Sequence, residues 1–280
     1  MGMFRVALCQ MRVCDDKDKN LSKALGMIRA AKAGRADIAV LPEMFLCPYD
    51  SKVFHEYAEE IPFGLSARVL AAVAKEQGIF LFAGSMPELK ENKIYNTAVV
   101  FNQTGELVGM HRKMHLFDID APGEIVFRES DSLSAGSSIT VIATPFIKAG
   151  VEICYDMRFP ELSRLIALEG AGMIIVPAAF NMVTGPAHWE ILIRTRSLDN
   201  QVYVCACAPA RDNNASYVSF ANSMVADPWG RIISRAGTDE EIIYADIDTN
   251  RIEEVRKKLP LLKHLRSDIY EVKHLNGNHK

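Results

Sequence analysis

GVEICYDMRFPE, residues 150–161, places a cysteine where an apolar strand pattern ends and a helix is about to begin. The run KAGVEIC is typical of a buried strand, and Pro160 suits the first turn of a helix. Cys154 should therefore lie near a helix N-terminus, a position that favours the thiolate form of a cysteine. The alternative is a small buried hydrophobic side chain, which is the usual role of a free cysteine. This stretch alone leaves both interpretations open.

Helix and strand patterns alternate on both sides of this stretch. Helical spacing occurs over 20–34, 66–77 and 187–198, in a segment that starts at Pro160, and in a last segment that ends near Leu259. Strand patterns, several of them joined as hairpins, occur at FRVALCQ, DIAVLPE, IFLFAGS, YNTAVVF, ELVGMHR, SITVIAT, MIIVPAAF, VYVCACA, FANSMVAD, RIISRAG and EIIYADI. This alternation, mixed with hairpins, indicates an α/β protein whose layers contain mixed sheets.

The same pattern predicts how the chain is divided. No linker, internal repeat or low-complexity segment interrupts it, so we expect a single domain over residues 1–280. Residues 114–137 are expected to form a long loop. The short polar tail after about Val272 is expected to be mobile.

Composition excludes several classes of partner. The chain has 280 residues, of which 49% are hydrophobic, and 32 Lys and Arg against 35 Asp and Glu give a net charge of −3. With no basic surplus, we expect no nucleic-acid partner. No apolar run is long enough to span a membrane, and the N-terminus lacks the apolar core of a signal peptide, so we expect a cytoplasmic protein. The six cysteines form no regular framework and are expected to stay reduced.

Three polar residues stand where a site could form. Glu43 in LPEMF and Lys113 in HRKMHLFD each close a strand, and open α/β sheets bind ligands at the carboxyl ends of their strands. Glu129 in FRES lies inside the predicted long loop, and loops of that length are often functional. Taken singly, each residue is more typical of a solvated surface position. If Cys154 is a nucleophile it needs a base, and Glu43 is a better candidate than any histidine.

The sequence does not predict a metal site. His111 and His115 have the i, i+4 spacing of a metal-binding helix, but they lack the glutamate of the HExxH motif. Cys205 and Cys207 alternate along one strand face, as core residues do.

Taken together, LPEMF, HRKMHLFD and EICYDMRFPE resemble the three motif blocks of the nitrilase superfamily of carbon–nitrogen hydrolases. The resemblance covers the chain from about Phe4 to Val272, and it implies a four-layer α-β-β-α sandwich with two mixed β-sheets. It also implies that Glu43 is the general base, Lys113 the lysine that stabilises the oxyanion, Cys154 the nucleophile and Glu129 the second glutamate of the family. The backbone N–H of Tyr155 is expected to be a second oxyanion donor.

The resemblance further implies a small-molecule substrate, no metal or organic cofactor, and a homodimer. The dimer would form through the helices after Cys154 and around His188–Leu198. Arg158 is the candidate to hold a substrate carboxylate, because a guanidinium binds a carboxylate with two parallel hydrogen bonds. A structural salt bridge to Asp156 or Glu161 is the alternative role for Arg158. Around the substrate the resemblance places Tyr49, near the entrance, with Phe180, Met182 and Thr184.

Within the superfamily, FDIDAPG, AFNMVTGPAHWE, NQVYV and APARD…ASYV resemble the ω-amidase branch. Those enzymes hydrolyse the terminal amide of 2-oxoglutaramate and 2-oxosuccinamate. The deaminated-glutathione amidases share MRFPE and TGPAHWE, so they remain an alternative, while AFN and PARD favour the ω-amidases. Nitrile hydrolysis and a catalytically silent scaffold are further alternatives.

Overall fold

Two six-stranded sheets form the centre of the structure, a computed structural model that describes residues 2–121 and 125–275. The strands, numbered in chain order, are β1 Met3–Gln10, β2 Ile38–Val40, β3 Phe80–Lys90, β4 Lys93–Phe101, β5 Leu107–Arg112, β6 Asp118–Ala121, β7 Ile125–Arg128, β8 Val141–Ala143, β9 Lys148–Val151, β10 Met173–Pro177, β11 Tyr203–Cys207, β12 Met224–Ala226, β13 Ile232–Arg235 and β14 Glu241–Asp248. The α-helices are α1 Lys17–Ala33, α2 Phe54–Tyr57, α3 Leu65–Gln77, α4 Pro160–Leu168, α5 Gly185–Asn200 and α6 Thr249–Lys258.

Both sheets are mixed. The first has the order β14-β1-β2-β3-β4-β5, in which β1, β2 and β3 are parallel and the remaining pairs are antiparallel. The second has the order β13-β12-β11-β10-β9-β8, in which β9, β10 and β11 are parallel. Parallel strands need long crossover connections, and helices supply them here.

The layers follow from where the apolar side chains are buried. One core contains Leu8 and Val40 of the first sheet together with Val151 and Ile174 of the second, so the two sheets pack face to face. A second core lies on the other face of the first sheet, where α1 and α3 pack. Helices α4 and α5 cover the second sheet, with Trp189 of α5 in the shared core. The predicted α-β-β-α sandwich is confirmed.

The prediction of an unbroken loop over 114–137 was wrong. Strands β6 and β7 form an antiparallel hairpin inside it, with Asp118 opposite Arg128 and Ile119 opposite Phe127. Each strand has four residues and carries charges, so the apolar pattern was too short to identify. Pro122 and Gly123 of the FDIDAPG motif lie outside the described residues, and so does the end of the predicted tail, residues 276–280.

The structure also bears on the predictions about membrane spans and cysteines. Within the described ranges, no helix is long and apolar enough to cross a bilayer. All six cysteines are free, and Cys205 and Cys207 are buried as core residues, as predicted. The single domain over 1–280 stays a prediction.

A close backbone approach positions the end of β2. Gly84 lies at a bulge in β3, with φ of +21°, and a Cβ atom there would overlap the Pro42 carbonyl oxygen. The adjacent Ser85 N–H donates to that same oxygen at 3.3 Å. The absence of a side chain at residue 84 therefore lets β3 support the backbone that leads into Glu43.

Replacing Gly84 tests this support. We expect Gly84→Ala to lower the free energy of unfolding by about 1–3 kcal/mol, because the added methyl forces the backbone apart. Gly26→Ala is the matched control: the α1 site is open, and alanine there should be neutral or stabilising. Urea unfolding of both variants measures the difference, and equal effects would contradict this account.

A carboxyl group is buried between β9 and α4. Glu152 is fully buried, and its Oε1 accepts a hydrogen bond from Ser163 Oγ at 2.6 Å. Its Oε2 is buried and has no hydrogen-bond partner among the described residues. Burial raises the pKa of Glu152 to about 8, and the nearby charge of Asp156 adds to this rise.

This pKa predicts a pH dependence of stability. The folded state holds the Glu152 proton up to about pH 8, whereas the unfolded chain releases it near its ordinary pKa of 4.5. Its contribution to stability is therefore complete below that ordinary pKa and is lost as the pH rises through the folded pKa. We expect Glu152→Gln to lose less stability than wild type over that interval, and parallel pH profiles of thermal unfolding would contradict this.

Candidate active site

The three motif segments meet because of strand direction. Strand β5 runs parallel to β2, since two antiparallel pairings separate it from β3, so both strands end at the same edge of the first sheet. Glu43 follows β2, and Lys113 follows β5. Cys154 follows β9 of the facing sheet. These three candidate residues thus lie at the carboxyl ends of strands in the two sheets.

Lys113 lies at the centre of a buried charged cluster. Its Nζ donates to Glu43 Oε1 at 2.9 Å and to Glu129 Oε1 at 2.8 Å, and all three side chains are buried. Burial by itself would lower the pKa of Lys113, but the carboxylates of Glu129 and Glu43 raise it well above its ordinary value. The side chain is therefore an ammonium ion at any physiological pH.

Glu129 fits a role in holding Lys113. Besides Lys113, its Oε1 faces the Tyr49 hydroxyl at 2.6 Å, and its Oε2 accepts from the Phe117 N–H at 2.7 Å. Both carboxylate oxygens are therefore engaged. Burial raises the pKa of Glu129, and the negative charge of Glu43 raises it further, while Lys113 opposes the rise.

Glu43 differs from Glu129 because one of its oxygens is free. Its Oε1 accepts from Lys113 and also from Asn96 Nδ2 at 2.9 Å, with the Tyr49 hydroxyl at 3.1 Å. Its Oε2 is buried and has no partner in the described part of the chain. A carboxylate held at one oxygen and free at the other is suited to accept a proton.

Tyr49 belongs to this cluster more closely than the sequence predicted. Its hydroxyl contacts both carboxylates and accepts from Lys113 Nζ at 3.3 Å. Because the hydroxyl has a single proton, it donates to one carboxylate at a time, and the shorter contact is to Glu129. Burial raises the pKa of Tyr49 well above its ordinary value, and the two carboxylates add to the rise.

Cys154 lies on a sharp turn between β9 and α4. It has a left-handed φ of +48° and begins a short 3-10 helix, Cys154–Arg158. A non-glycine residue in this conformation is uncommon, and such backbone strain is concentrated at functional sites. The N–H of Ala179, which follows β10, is directed to the Cys154 sulfur.

The position near a helix N-terminus, which favours a thiolate, does not decide the protonation of Cys154 in this resting state. Burial raises the pKa of Cys154 well above its ordinary value, and the charge of Glu43 raises it further. Lys113 and the Ala179 N–H oppose this rise without cancelling it. The helix N-terminus is a smaller influence than the loss of water around the sulfur, so the nucleophile requires a base.

Asp156 joins the Cys154 turn to the Lys113 segment. Its carboxylate accepts from the N–H groups of Ile153 at 3.1 Å and His115 at 2.8 Å. The rings of His115 and His111 also contact it, at 2.8 and 3.1 Å. Burial opposes ionisation, but these hydrogen bonds hold the pKa of Asp156 far below its ordinary value. The histidines with metal-like spacing therefore hold this carboxylate.

Arg158 lies beside the site without an acidic partner. Its guanidinium stands 4.7 Å from the centre of the Phe180 ring, and its Nη1 is 3.1 Å from His188 Nδ1. Over the described residues, no carboxylate is within ion-pair distance of it. The alternative salt bridge is thus not formed, because Asp156 is occupied by the histidines and Glu161 is exposed.

The remaining predicted residues are less closely joined to the charged cluster. Tyr155 is the second residue of the 3-10 helix, where N–H groups lack partners within the helix. Thr184 donates its hydroxyl to Asn181 Oδ1 at 3.0 Å, in the turn that begins α5. Met182 in the same turn is 41% exposed. No contact among the described residues joins Met182 to Lys113 or the carboxylates.

Three residues of the site were missed from the sequence. Tyr217 packs against Tyr49 with ring centres 4.6 Å apart and the rings tilted by 33°, and its hydroxyl donates to the Ala179 carbonyl. Asn96 holds Glu43, and its position as a polar residue within the apolar run YNTAVVF was a usable signal. Ala179 and Tyr217 stand in the quoted motifs AFNMVTGPAHWE and ASYV, but nothing in those motifs marked either residue as part of the site.

Within residues 2–121 and 125–275, no group of three or more His, Cys, Asp and Glu side chains is arranged to hold a metal ion. The absence of a metal and of a cofactor stays a prediction.

Comparison with known proteins identifies the family. The family model for carbon–nitrogen hydrolases matches residues 5–257. The chain is 49% identical to omega-amidase NIT2 of Bos taurus over 272 residues, which cover 97% of this chain and 98% of that protein. It is 48% identical to omega-amidase NIT2 of Homo sapiens, with the same coverage.

A solved structure of a similar protein has the same fold. The crystal structure of Nit3 from Saccharomyces cerevisiae, a member of branch 10 of the nitrilase superfamily, superposes with a TM-score of 0.87 at 44% identity, covering 95% of this chain and 97% of that one. The superfamily and branch predicted from the motifs are confirmed. The chain belongs to the carbon–nitrogen hydrolase family, as a hydrolase of carbon–nitrogen bonds in the ω-amidase branch of the nitrilase superfamily.

Proposed function

We propose that this enzyme is an ω-amidase that hydrolyses the terminal amide of 2-oxoglutaramate and 2-oxosuccinamate. The products are ammonia with 2-oxoglutarate or oxaloacetate, and the reaction passes through an acyl-thioester on Cys154. The observation that carries the mechanism is the buried, unpartnered Oε2 of Glu43 beside a thiol whose pKa is raised. The similarity to omega-amidases over nearly the whole chain supports the substrate class.

Glu43 activates the nucleophile. Because the Cys154 thiol is protonated in the resting site, the sulfur must lose its proton as it attacks the amide carbon. Glu43 Oε2 receives that proton, while Lys113 and Asn96 keep the carboxylate in place through Oε1.

Lys113 stabilises the oxyanion that forms. All three of its N–H groups have partners, and the longest contact is the 3.3 Å one to the Tyr49 hydroxyl. The oxyanion takes over that N–H, because it carries more charge than a phenol oxygen. The Tyr155 N–H is the second donor at the start of the 3-10 helix.

The intermediate then breaks down in two steps. The carbon–nitrogen bond breaks with its electron pair going to nitrogen, and Glu43 returns the proton so that ammonia leaves. A water molecule, deprotonated by Glu43, attacks the thioester and releases the acid and the Cys154 thiol. Glu129 fixes Lys113 throughout, since both of its oxygens are already bound.

Arg158 explains the preference for a second carboxylate. Arg158 is four residues along the chain from Cys154, and its guanidinium packs against the Phe180 ring. It has no acidic partner in the described chain. It is therefore available to bind the distal carboxylate of a short dicarboxylate monoamide. Deaminated glutathione presents the same carboxylate, so Arg158 does not separate the two activities.

We also propose that the enzyme acts as a homodimer through α4 and α5. Leu168, Ile191 and Leu198 project from these helices and are 49%, 62% and 40% exposed. Ile191 and Leu198 are seven residues apart and so share a face of α5, and exposed apolar side chains of this kind support a protein–protein contact.

The function is tested by ammonia release from 2-oxoglutaramate and 2-oxosuccinamate. We expect both to be hydrolysed, and Cys154→Ala to abolish turnover with an unchanged thermal transition, because no other group can form the thioester. Cys205→Ala, which removes another buried thiol, should stay active. Mass spectrometry should show the acyl adduct on Cys154 in wild type. Turnover by Cys154→Ala would disprove the mechanism.

Arg158→Lys tests the binding of the carboxylate. The variant keeps the charge but loses the planar pair of donors, so we expect kcat/KM for 2-oxoglutaramate to fall roughly 10- to 100-fold, the equivalent of about 1.4–2.7 kcal/mol. A short amide without a carboxylate should lose little, since both substrates share the same chemical steps. Equal losses for the two would assign Arg158 a structural role.

A further inference from the structure

A cavity of about 340 Å³ leads away from Glu43, and the proposed mechanism uses only its inner end. Its inner end is formed by Glu43 and by Ala179, whose N–H faces the Cys154 sulfur. Tyr217 forms part of one wall. The outer end reaches exposed residues of two loops, 13–15 and 212–216. A volume of this size is at the lower end of the range for small-molecule sites, about 300–1,000 Å³.

The charged side chains among the described residues that line this cavity are all acidic. Asp15, Asp212 and Glu43 line it, and no Lys, Arg or His is among the described residues that do so. Arg158 is not part of its wall. One buried atom at its inner end, Glu43 Oε2, has no hydrogen-bond partner among residues 2–121 and 125–275. The cavity is therefore suited to a group that donates hydrogen bonds and carries positive charge.

The proposed reaction determines which part of a substrate faces this cavity. The amide carbon must reach the Cys154 sulfur, and Arg158 holds the distal carboxylate. The amide nitrogen must face Glu43, because Glu43 protonates it as it leaves. Any substituent on that nitrogen then extends past Glu43 into the cavity.

We propose that this cavity is a leaving-group subsite that accepts amines larger than ammonia and selects cationic over anionic ones. The proposal rests on the proposed function. The enzyme would hydrolyse N-substituted ω-amides of a dicarboxylic acid, breaking the same carbon–nitrogen bond with the same proton transfer from Glu43. The departing amine would be neutral as the bond breaks and would take up a proton from water along a path lined by Asp15 and Asp212.

The proposal also separates the ω-amidases from their nearest alternative. Deaminated glutathione has a leaving group that is a dipeptide with a free carboxylate. The acidic lining would repel that carboxylate, and no cation in the described lining compensates for it. The cavity is large enough for such a group but has the wrong charge.

The test uses succinamate and three N-substituted forms that release the same product, succinate. The substituents are 2-aminoethyl, propyl and 2-carboxyethyl, which are cationic, neutral and anionic at similar size. We expect kcat/KM to fall in that order, with the 2-aminoethyl form at least about fivefold above the 2-carboxyethyl form.

Variants assign the preference to the cavity. Asp212→Asn keeps the acceptor oxygen that the Asn214 N–H uses at 3.0 Å, and Asp15→Asn is the second variant. Each should lower kcat/KM for the 2-aminoethyl form by up to about fivefold and leave succinamate unchanged. Glu253→Gln is the matched control, because it removes an exposed carboxylate on α6, outside the cavity.

Three outcomes would overturn the subsite alone, and a fourth would overturn the proposed function as well. Equal rates for the cationic and anionic forms, or no hydrolysis of any N-substituted form while succinamate is hydrolysed, would overturn the subsite and leave the proposed function intact. A cationic preference that persists in both aspartate variants would also overturn it. Absence of hydrolysis of 2-oxoglutaramate, 2-oxosuccinamate and succinamate by wild type would overturn the proposed function and the subsite with it.

Discussion

The buried ion pairs of Lys113 with Glu43 and Glu129 are the interaction on which the site depends. A charge in a protein interior is stable only when opposite charges and hydrogen bonds surround it, and removing one partner of such a pair typically costs about 3–5 kcal/mol. Each of the three groups therefore requires the other two. The arrangement also gives the two carboxylates different roles. Both oxygens of Glu129 are bound, so Glu43 is the only carboxylate of the cluster with an oxygen available for proton transfer.

The scaffold brings these charges together at little conformational cost. Glu43 and Lys113 stand at the same edge of one sheet, and Asn96 on the intervening strand β4 bonds to Glu43. Asp156 then ties the Cys154 turn of the other sheet to the residues that follow Lys113, so the two sheets cannot shift independently at this edge. Side chains placed on strand ends and held by neighbouring hydrogen bonds are more exact than side chains on loops alone.

Electrostatics divides the site into two sides. Arg158 supplies an unneutralised positive charge on one side, while the cavity beyond Glu43 carries carboxylates on the other. A monoamide with a distal carboxylate, whose released amine becomes cationic when it takes up a proton from water, matches this polarity. The same polarity favours departure of the amine, since the product amine and the product acid are drawn in opposite directions.

Apolar periodicity predicted the alternating architecture, and short motifs predicted Glu43, Lys113 and Cys154 as site residues, because both are local properties of the chain. The sequence by itself missed the hairpin β6–β7, where four-residue strands leave too short a pattern, and it could not give the pKa of the Cys154 thiol, which depends on burial. Only the tertiary structure decided that Tyr49 contacts Glu129, 80 residues away, and that one oxygen of Glu43 is free. It also decided the charge of the cavity, whose wall is assembled from segments near residues 15, 43 and 212. Solvent exclusion and contacts between distant segments set these properties, and neither is encoded in any single stretch of sequence.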